Sequence, residues 1–381
     1  MLYRNLSWLL VAVGSYLNSA ADAMERVSLQ RDGKPIHVSG KILVESQDGG
    51  LLLLDEVGTL WMVQPDEITR RETDPVPFRP VSAEQQAARL RQELPGCQIH
   101  RTNHYVICYN TSEAFAKWTG ALYERLFKAF DTYWGHRGFQ LHEPEFPLVV
   151  VVFDSKAAYT AYAQQELGEQ AASAISYGYY SLRSNRVIIY DLTEATNALS
   201  TRGANAAQIN RLLSQPGAER TVATIIHEAT HQIAYNSGLH QRYADIPLWL
   251  NEGLAIYFET PDLRSSQGWR GIGGVNRVRL AEFRQYLTSR PDDSLETLLL
   301  GSERFRNPRT AVDAYAEAWA VNYFLIRRYP KQFTEYLKIM AQKRPIIADD
   351  PETRRAEFQR CFGTSPSELD DEFLRYMRGV R

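Results

Sequence analysis

Two histidines and a glutamate within five residues could bind a metal ion and use it for catalysis. The stretch His-Glu-Ala-Thr-His contains His227, Glu228 and His231. On a helix, the two histidines lie four residues apart on one face, so their imidazoles can share a single divalent cation. Glu228 lies near the same face, where it can take a proton from a water molecule on that cation. The alternative is a buried helix with two hydrogen-bonded histidines and an ion-paired glutamate.

A second stretch offers a third ligand. A catalytic zinc ion takes three protein ligands and keeps one position for water, so two histidines are not enough. Glu252 lies in the apolar stretch 247–259, which predicts a second helix beginning near Pro247. A turn containing Gly238 and Asp245 would let this helix fold back antiparallel to the first. A carboxylate there is costly to bury unless it is paired or bound to a metal. The alternative is an Asn-Glu pair that caps the helix.

Together, HEATH and WLNEGLA resemble the gluzincin zinc metallopeptidases, and most of all the peptidase-MA-like families of secreted bacterial proteins. The resemblance extends more weakly over residues 105–329. It implies one Zn²⁺ ion, a general base and three metal ligands, which would be Glu228 as the base and His227, His231 and Glu252 as the ligands. In thermolysin-like members, an acid four residues after the third ligand orients a histidine. That position here is Ile256, so the orienting group has to lie elsewhere.

The resemblance also implies an oxyanion donor and a place for the substrate. In several gluzincins, a tyrosine downstream of the third ligand stabilises the oxyanion. Tyr315 is the first candidate and Tyr257 the second, and a core tyrosine is the alternative. In gluzincins, an edge strand beside the HExxH helix receives the peptide by strand addition. The predicted hairpin 175–191 would supply this edge, with Gly178 bordering the cleft, unless it is an ordinary edge hairpin.

Composition and the first residues indicate an exported protein. The chain has 381 residues, of which 44% are hydrophobic and 23% charged, as in globular proteins. Its net charge of −2 gives no general attraction to nucleic acid or anionic lipid. The resemblance to gluzincins implies a peptide or protein substrate. Residues 1–23 have a basic start, a short apolar run and small residues, which predicts a signal peptide. We expect a periplasmic or extracellular protein without a membrane span after cleavage. An uncleaved N-terminal anchor is the alternative.

The remaining patterns predict an α+β fold in two parts. Residues 27–72 contain apolar runs separated by turn residues, which predicts a small β-barrel-like module or curled sheet. The proline-rich stretch 73–81 predicts a linker. Residues 82–381 would form a zincin-like domain. We expect this domain to contain a small mixed sheet with an edge hairpin, the HExxH helix and a helical C-terminal part.

The three cysteines predict one disulfide. Cys97 and Cys108 flank a predicted hairpin, and an exported protein permits a bridge between them. Cys361 would remain a buried free thiol.

These features predict a zinc metallopeptidase that hydrolyses peptide bonds with a metal-activated water. Three alternatives stay open. One is a zinc-binding surface or assembly protein without catalysis, and another is a metal-dependent amidase acting on a non-peptide substrate. The third is a metal-free structural protein.

Overall fold

The computed structural model describes residues 23–172, 177–191, 193, 205–213, 218–260 and 272–381. Most of the predicted signal peptide and the start of the predicted edge hairpin at residues 175–176 lie outside these ranges. The described residues form two five-stranded sheets and a series of helices. The predicted α+β class and the helical C-terminal part are therefore confirmed.

The first five strands form an antiparallel sheet, which we call the N-terminal module. Its strands are β1 (Ala23–Arg31), β2 (Lys34–Glu45), β3 (Leu51–Asp55), β4 (Leu60–Val63) and β5 (Ile68–Pro77). Their order is β4-β3-β2-β1-β5, so in the described part of the chain β4 and β5 are the two edges. The module is an open sheet rather than a closed barrel. Its core contains Val27, Leu29 and Leu53.

The prediction of a linker over residues 73–81 is wrong for residues 73–77. Strand β5 continues through Pro77 and pairs with β1, with an irregularity in the register near each end, one of which contains Pro75. Pro75 and Pro77 are tolerated because an edge strand needs hydrogen-bond partners on one side only. The connection between the module and the next helix is therefore limited to residues 78–82.

The second sheet forms the centre of the remaining chain. Its elements and their neighbours are α1 (Ala83–Glu93), β6 (Gln98–Arg101), β7 (Tyr105–Tyr109), α2 (Glu113–Gly135), β8 (Leu148–Phe153), α3 (Lys156–Leu167), α4 (Glu169–Ala172), β9 (Gly178–Tyr180) and β10 (Arg186–Tyr190). The order is β6-β7-β8-β10-β9. The three central strands are parallel and buried along their whole length, which explains their continuous apolar sequences. The edge strands β6 and β9 are antiparallel to their neighbours, so the sheet is mixed, with an edge hairpin as predicted.

Helices make up most of the C-terminal half. They are α5 (Ala206–Leu213), α6 (Glu219–Asn236), α7 (Leu248–Phe258), α8 (Arg277–Tyr286), α9 (Ser294–Leu300), α10 (Glu303–Arg306), α11 (Ala311–Arg328), α12 (Pro330–Ala341), α13 (Pro351–Phe362) and α14 (Pro366–Arg378). The larger of these helices and the second sheet share one hydrophobic core, which extends to Val380. Among the described helices, none has the length and apolar character required to cross a bilayer.

The predicted disulfide is absent, because all three cysteines are free thiols. The thiols of Cys97 and Cys108 nevertheless contact each other across the β6–β7 hairpin. Burial, together with the neighbouring Cys97, raises the pKa of the Cys108 thiol to about 12. Because the thiolate is the reactive form, this raised pKa lowers the reactivity of the Cys108 thiol. Cys361 is a partly buried free thiol on α13.

Candidate metal centre

Helix α6 carries the His-Glu-Ala-Thr-His motif in its middle. Ile225, Ile226 and Ala229 on this helix are completely buried in the core, which fixes the rotation of the helix about its axis. As a result, His227 and His231 lie on the side of α6 that faces α7. Their rings are nearly perpendicular, with an interplanar angle of 82° and centroids 4.6 Å apart.

A glycine beside the third candidate ligand sets the position of α7. Helix α7 packs against α11 so closely that a Cβ atom on Gly253 would lie 2.1 Å from the Asn322 Nδ2 atom and 2.4 Å from the Ala318 carbonyl oxygen. Asn322 also donates a hydrogen bond of 2.9 Å to the Trp249 carbonyl oxygen, which ties the two helices together. Glu252, the residue before this glycine, faces α6 from this fixed position.

The three predicted metal ligands converge on one position. The Nε2 atoms of His227 and His231 lie 3.0 Å apart. One carboxylate oxygen of Glu252 is 3.2 Å from His227 Nε2, and the other is 3.6 Å from His231 Nε2. Zinc bonds of about 2.0–2.1 Å in a tetrahedron separate the ligand atoms by about 3.3–3.4 Å. The observed spacing therefore fits one zinc ion.

The electrostatics of this group favour a positive charge among the ligand atoms. Burial alone raises the pKa of Glu252, but the charge of His231 and hydrogen bonds with both imidazoles lower it below its ordinary value. Burial lowers the pKa of His227, but hydrogen bonds to Glu252 and Glu259 outweigh this effect and raise it well above its ordinary value. A proton or a metal ion can supply the positive charge.

Glu259 is a site residue that the sequence analysis missed. Its Oε1 atom lies 2.8 Å from His227 Nδ1, and its Oε2 atom accepts a 3.2 Å hydrogen bond from Asn276. A carboxylate on the second ring nitrogen orients a metal-binding histidine and raises its basicity. Glu259 lies two helical turns after Glu252 and thus on the same side, a spacing that could have revealed it. The position four residues on, Ile256, is buried in the core.

Glu228 links the helix of the metal ligands to the edge of the sheet. Its carboxylate accepts a 2.7 Å hydrogen bond from the Tyr180 N–H on β9. Burial raises the pKa of Glu228, although the two neighbouring imidazoles partly oppose this. Gly178 lets β9 lie close to its partner β10, because an added Cβ would lie 2.8 Å from Ile189 Cγ2, whereas Glu228 Cγ would be in ordinary contact at 3.7 Å.

The two candidate oxyanion donors have different surroundings. The negative charge of Glu252 is the largest cause that raises the pKa of Tyr315, followed by burial and the charge of Glu228. Tyr315 therefore lies near the carboxylates of the site. The hydroxyl of Tyr257 instead shares a 2.8 Å hydrogen bond with the Tyr133 hydroxyl. It also packs against Gly273, where an added Cβ would lie 2.0 Å from the Tyr257 oxygen.

Comparison with known proteins found one similarity, and it lies over the candidate metal centre. Residues 221–347 match a family described as a protein of unknown function (DUF1570). The match covers about a third of the chain, including all the candidate ligands, Glu259 and Tyr315. A search of curated proteins found no match. The chain is thus similar, from α6 to the residues after α12, to a family whose description assigns no activity.

Proposed function

We propose that the chain is a zinc-dependent peptidase with a zincin-like catalytic domain. The convergence of His227, His231 and Glu252 beside Glu228 carries this proposal. The resemblance of the two motifs to those of gluzincins supports the same activity. A zinc ion held by the three ligands lowers the pKa of a bound water and polarises a substrate carbonyl group.

The chain's own residues then handle the proton and the developing charge. Glu228 accepts a proton from the attacking water and delivers it to the leaving amine. Its raised pKa makes it a stronger base than an exposed carboxylate, and the Tyr180 N–H holds it in place. Tyr315 donates a hydrogen bond to the oxyanion, and the nearby carboxylates raise its pKa and keep its hydroxyl protonated. Glu259 holds the His227 ring in orientation.

The open edge beside Glu228 favours an extended peptide as the substrate. Hydrogen-bonding groups alternate in direction along a strand. The N–H of Ser181 bonds to the Arg186 carbonyl oxygen at 2.9 Å, whereas the N–H of Tyr180 points away from β10. Among the described strands, β9 has a neighbour on one side only. Because Glu228 already accepts the Tyr180 N–H, an extended peptide would pair with the remaining outward-facing groups of β9, which a compact non-peptide amide cannot do.

Metal analysis and peptide cleavage test this proposal together. We expect one zinc ion per purified chain. We also expect cleavage of a peptide library that a chelator abolishes and added zinc restores. Glu228→Gln should keep the zinc and lower kcat by about 10²–10⁴-fold, because it removes the general base.

Each alternative gives a different result in these measurements. Bound zinc without cleavage of any peptide indicates a non-catalytic zinc-binding protein. Cleavage restricted to small amides indicates an amidase, and a metal-free chain indicates a structural protein. A Glu228→Gln variant as active as the wild type would remove Glu228 from the mechanism.

Export is part of the proposal, since residues 1–23 have the composition of a signal peptide. Fractionation of the producing cells and N-terminal sequencing of the mature chain test it. Intact residues 1–23 on a protein found in the cytoplasm would contradict it.

A further inference from the structure

Two turns from different sheets meet beside the candidate cleft. The module turn, residues 55–59, joins β3 to β4, and the hairpin turn, residues 181–185, joins β9 to β10. The N–H of Leu60 donates a 2.8 Å hydrogen bond to the Arg183 carbonyl oxygen. Phe146 packs with Leu60 in a small apolar cluster next to this contact. The backbone of the N-terminal module therefore bonds directly to the turn of the edge hairpin.

Arg242 joins the same two turns by its side chain. It lies in the loop between α6 and α7, and its Nη1 atom donates to the Gly58 carbonyl oxygen at 2.8 Å and to the Leu182 carbonyl oxygen at 3.2 Å. Gly58 has a φ of +87°, and an added Cβ would lie 3.2 Å from the Phe146 ring. The positive φ favours glycine in the module turn, and this conformation presents the Gly58 carbonyl oxygen to the guanidinium.

The hairpin turn is held from its other side by α6. The Asn185 carbonyl oxygen accepts a 2.9 Å hydrogen bond from Gln232. The side-chain amides of Asn185 and Asn236 exchange two hydrogen bonds of 2.8 and 2.7 Å. The Tyr180 hydroxyl donates to the same Asn185 side chain at 2.7 Å. The hairpin turn therefore lies between the N-terminal module and the helix of the two metal-binding histidines.

We propose that Arg242 is a positioning residue through which the N-terminal module fixes the edge strand that binds the substrate. Strand β9 has three residues and, among the strands that the structure describes, pairs with β10 alone, so its distance from Glu228 depends on how its turn is held. The role in substrate binding rests on the proposed function, whereas the role in holding the hairpin does not.

A matched control comes from another contact of the module. Lys41 of the module forms a 2.5 Å ion pair with Glu145, which lies between α2 and β8. This ion pair also joins the module to the rest of the chain, but it does not involve the hairpin. We would compare Arg242→Ala with Lys41→Ala in the full-length chain. The measurements are amide hydrogen exchange across residues 178–186, zinc content, and KM and kcat on a cleaved peptide.

Arg242→Ala should speed exchange across the hairpin by about tenfold or more, because two hydrogen bonds from a charged donor are lost. It should raise KM more than it lowers kcat and leave the zinc content unchanged. Gly58→Ala, which disturbs the contact from the module side, should change hairpin exchange in the same direction. Lys41→Ala should leave both exchange and KM at the wild-type values.

Hairpin exchange in Arg242→Ala equal to that in Lys41→Ala would overturn the inference. Faster exchange with an unchanged KM would also overturn it.

If Arg242→Ala does not fold, Arg242→Lys keeps the charge and a donor and should give an intermediate exchange rate. Wild-type exchange in that variant counts against the inference. A wild type that cleaves no peptide refutes the proposed function, and the exchange comparison still decides whether Arg242 holds the hairpin.

Discussion

Glu317 on α11 is completely buried and Glu252 on α7 is largely buried, with 15% of its side chain exposed, yet their partners differ in kind. Glu317 is completely buried and accepts hydrogen bonds from Arg290 at 2.7 Å and from the Ser294 hydroxyl at 2.7 Å. It also forms a 2.8 Å ion pair with Arg304. Two guanidinium groups that are always charged therefore compensate Glu317. The partners of Glu252 are two imidazoles, which are positive only when they bind a proton or a metal ion.

This difference separates a structural carboxylate from a binding carboxylate. Burying a charge is costly unless an opposite charge accompanies it. The fold itself supplies that charge to Glu317, so its cluster is complete in the folded chain. The positive charge beside Glu252 has to come from a proton or a metal ion that the site takes up from solution. Binding a cation in this way is what a metal site does. The four predictions below test this contrast.

Removing the structural carboxylate should have the largest effect. Glu317→Ala leaves Arg304 without its ion-pair partner and Arg290 with Asp370 alone, and should lower the free energy of unfolding by about 3–5 kcal/mol. Urea unfolding of the metal-free chain measures this, and zinc stoichiometry should stay at the wild-type value where the variant is folded. A loss below about 1 kcal/mol, as for a surface ion pair, would contradict the structural role.

Tyr315 lies on the same helix as Glu317, but its pKa responds to the carboxylates of the metal centre. Tyr315→Phe should lower kcat by about 10²–10³-fold, the usual effect of losing one oxyanion donor. Steady-state kinetics on a cleaved peptide give this ratio. Tyr257→Phe is the control and should retain kcat, because the Tyr257 hydroxyl bonds to Tyr133. If Tyr257→Phe lowers kcat more than Tyr315→Phe does, Tyr257 is the oxyanion donor and Tyr315 is not.

Removing the binding carboxylate should affect the metal rather than the fold. Glu252→Ala should weaken zinc binding by more than about 100-fold, since changes around metal ligands alone cost 10–100-fold. Titration against a zinc-chelating dye measures this. The metal-free variant should be at least as stable as the wild type, because a buried carboxylate has been removed. Unchanged zinc affinity would exclude Glu252 from the ligand set.

The smallest effect is expected at Glu259, which acts through His227. Glu259→Gln keeps the shape of the side chain but loses its charge, and should weaken zinc binding by about 10–100-fold. Glu335→Gln, which alters an exposed carboxylate on α12, is a matched control and should not change zinc affinity. If the two variants bind zinc equally well, the contact of Glu259 with His227 has no role in metal binding.

Local sequence signals predicted most of the site, and tertiary contacts provided the rest. The two histidines and Glu252 belong to helices with strong apolar patterns, so their positions followed from helical spacing. The two-turn spacing from Glu252 places Glu259 on the same side of α7, but spacing alone does not show that its carboxylate reaches His227. The disulfide prediction was wrong because sequence spacing shows which cysteines come close in a hairpin but not whether their sulfur atoms are bonded.

The contact between the N-terminal module and the hairpin was also beyond prediction. It joins Leu60 to Arg183 and Gly58 to Arg242, residues far apart in sequence that carry no complementary charges. Backbone carbonyl groups supply most of the bonds, and every residue has one. The extension of β5 through two prolines was missed for a similar reason, since only its edge position makes them acceptable.

The length of β9 has a consequence for how tightly any extended chain can attach to it. Three residues present outward-facing groups at only two positions, so backbone pairing contributes few bonds to affinity. Such a short edge resists sheet-to-sheet self-association between copies, which long exposed edges promote. Under the proposed peptidase activity, cleaved fragments would also be weakly held, so their departure would not slow turnover. Selectivity among substrates would then have to come from side-chain contacts around β9.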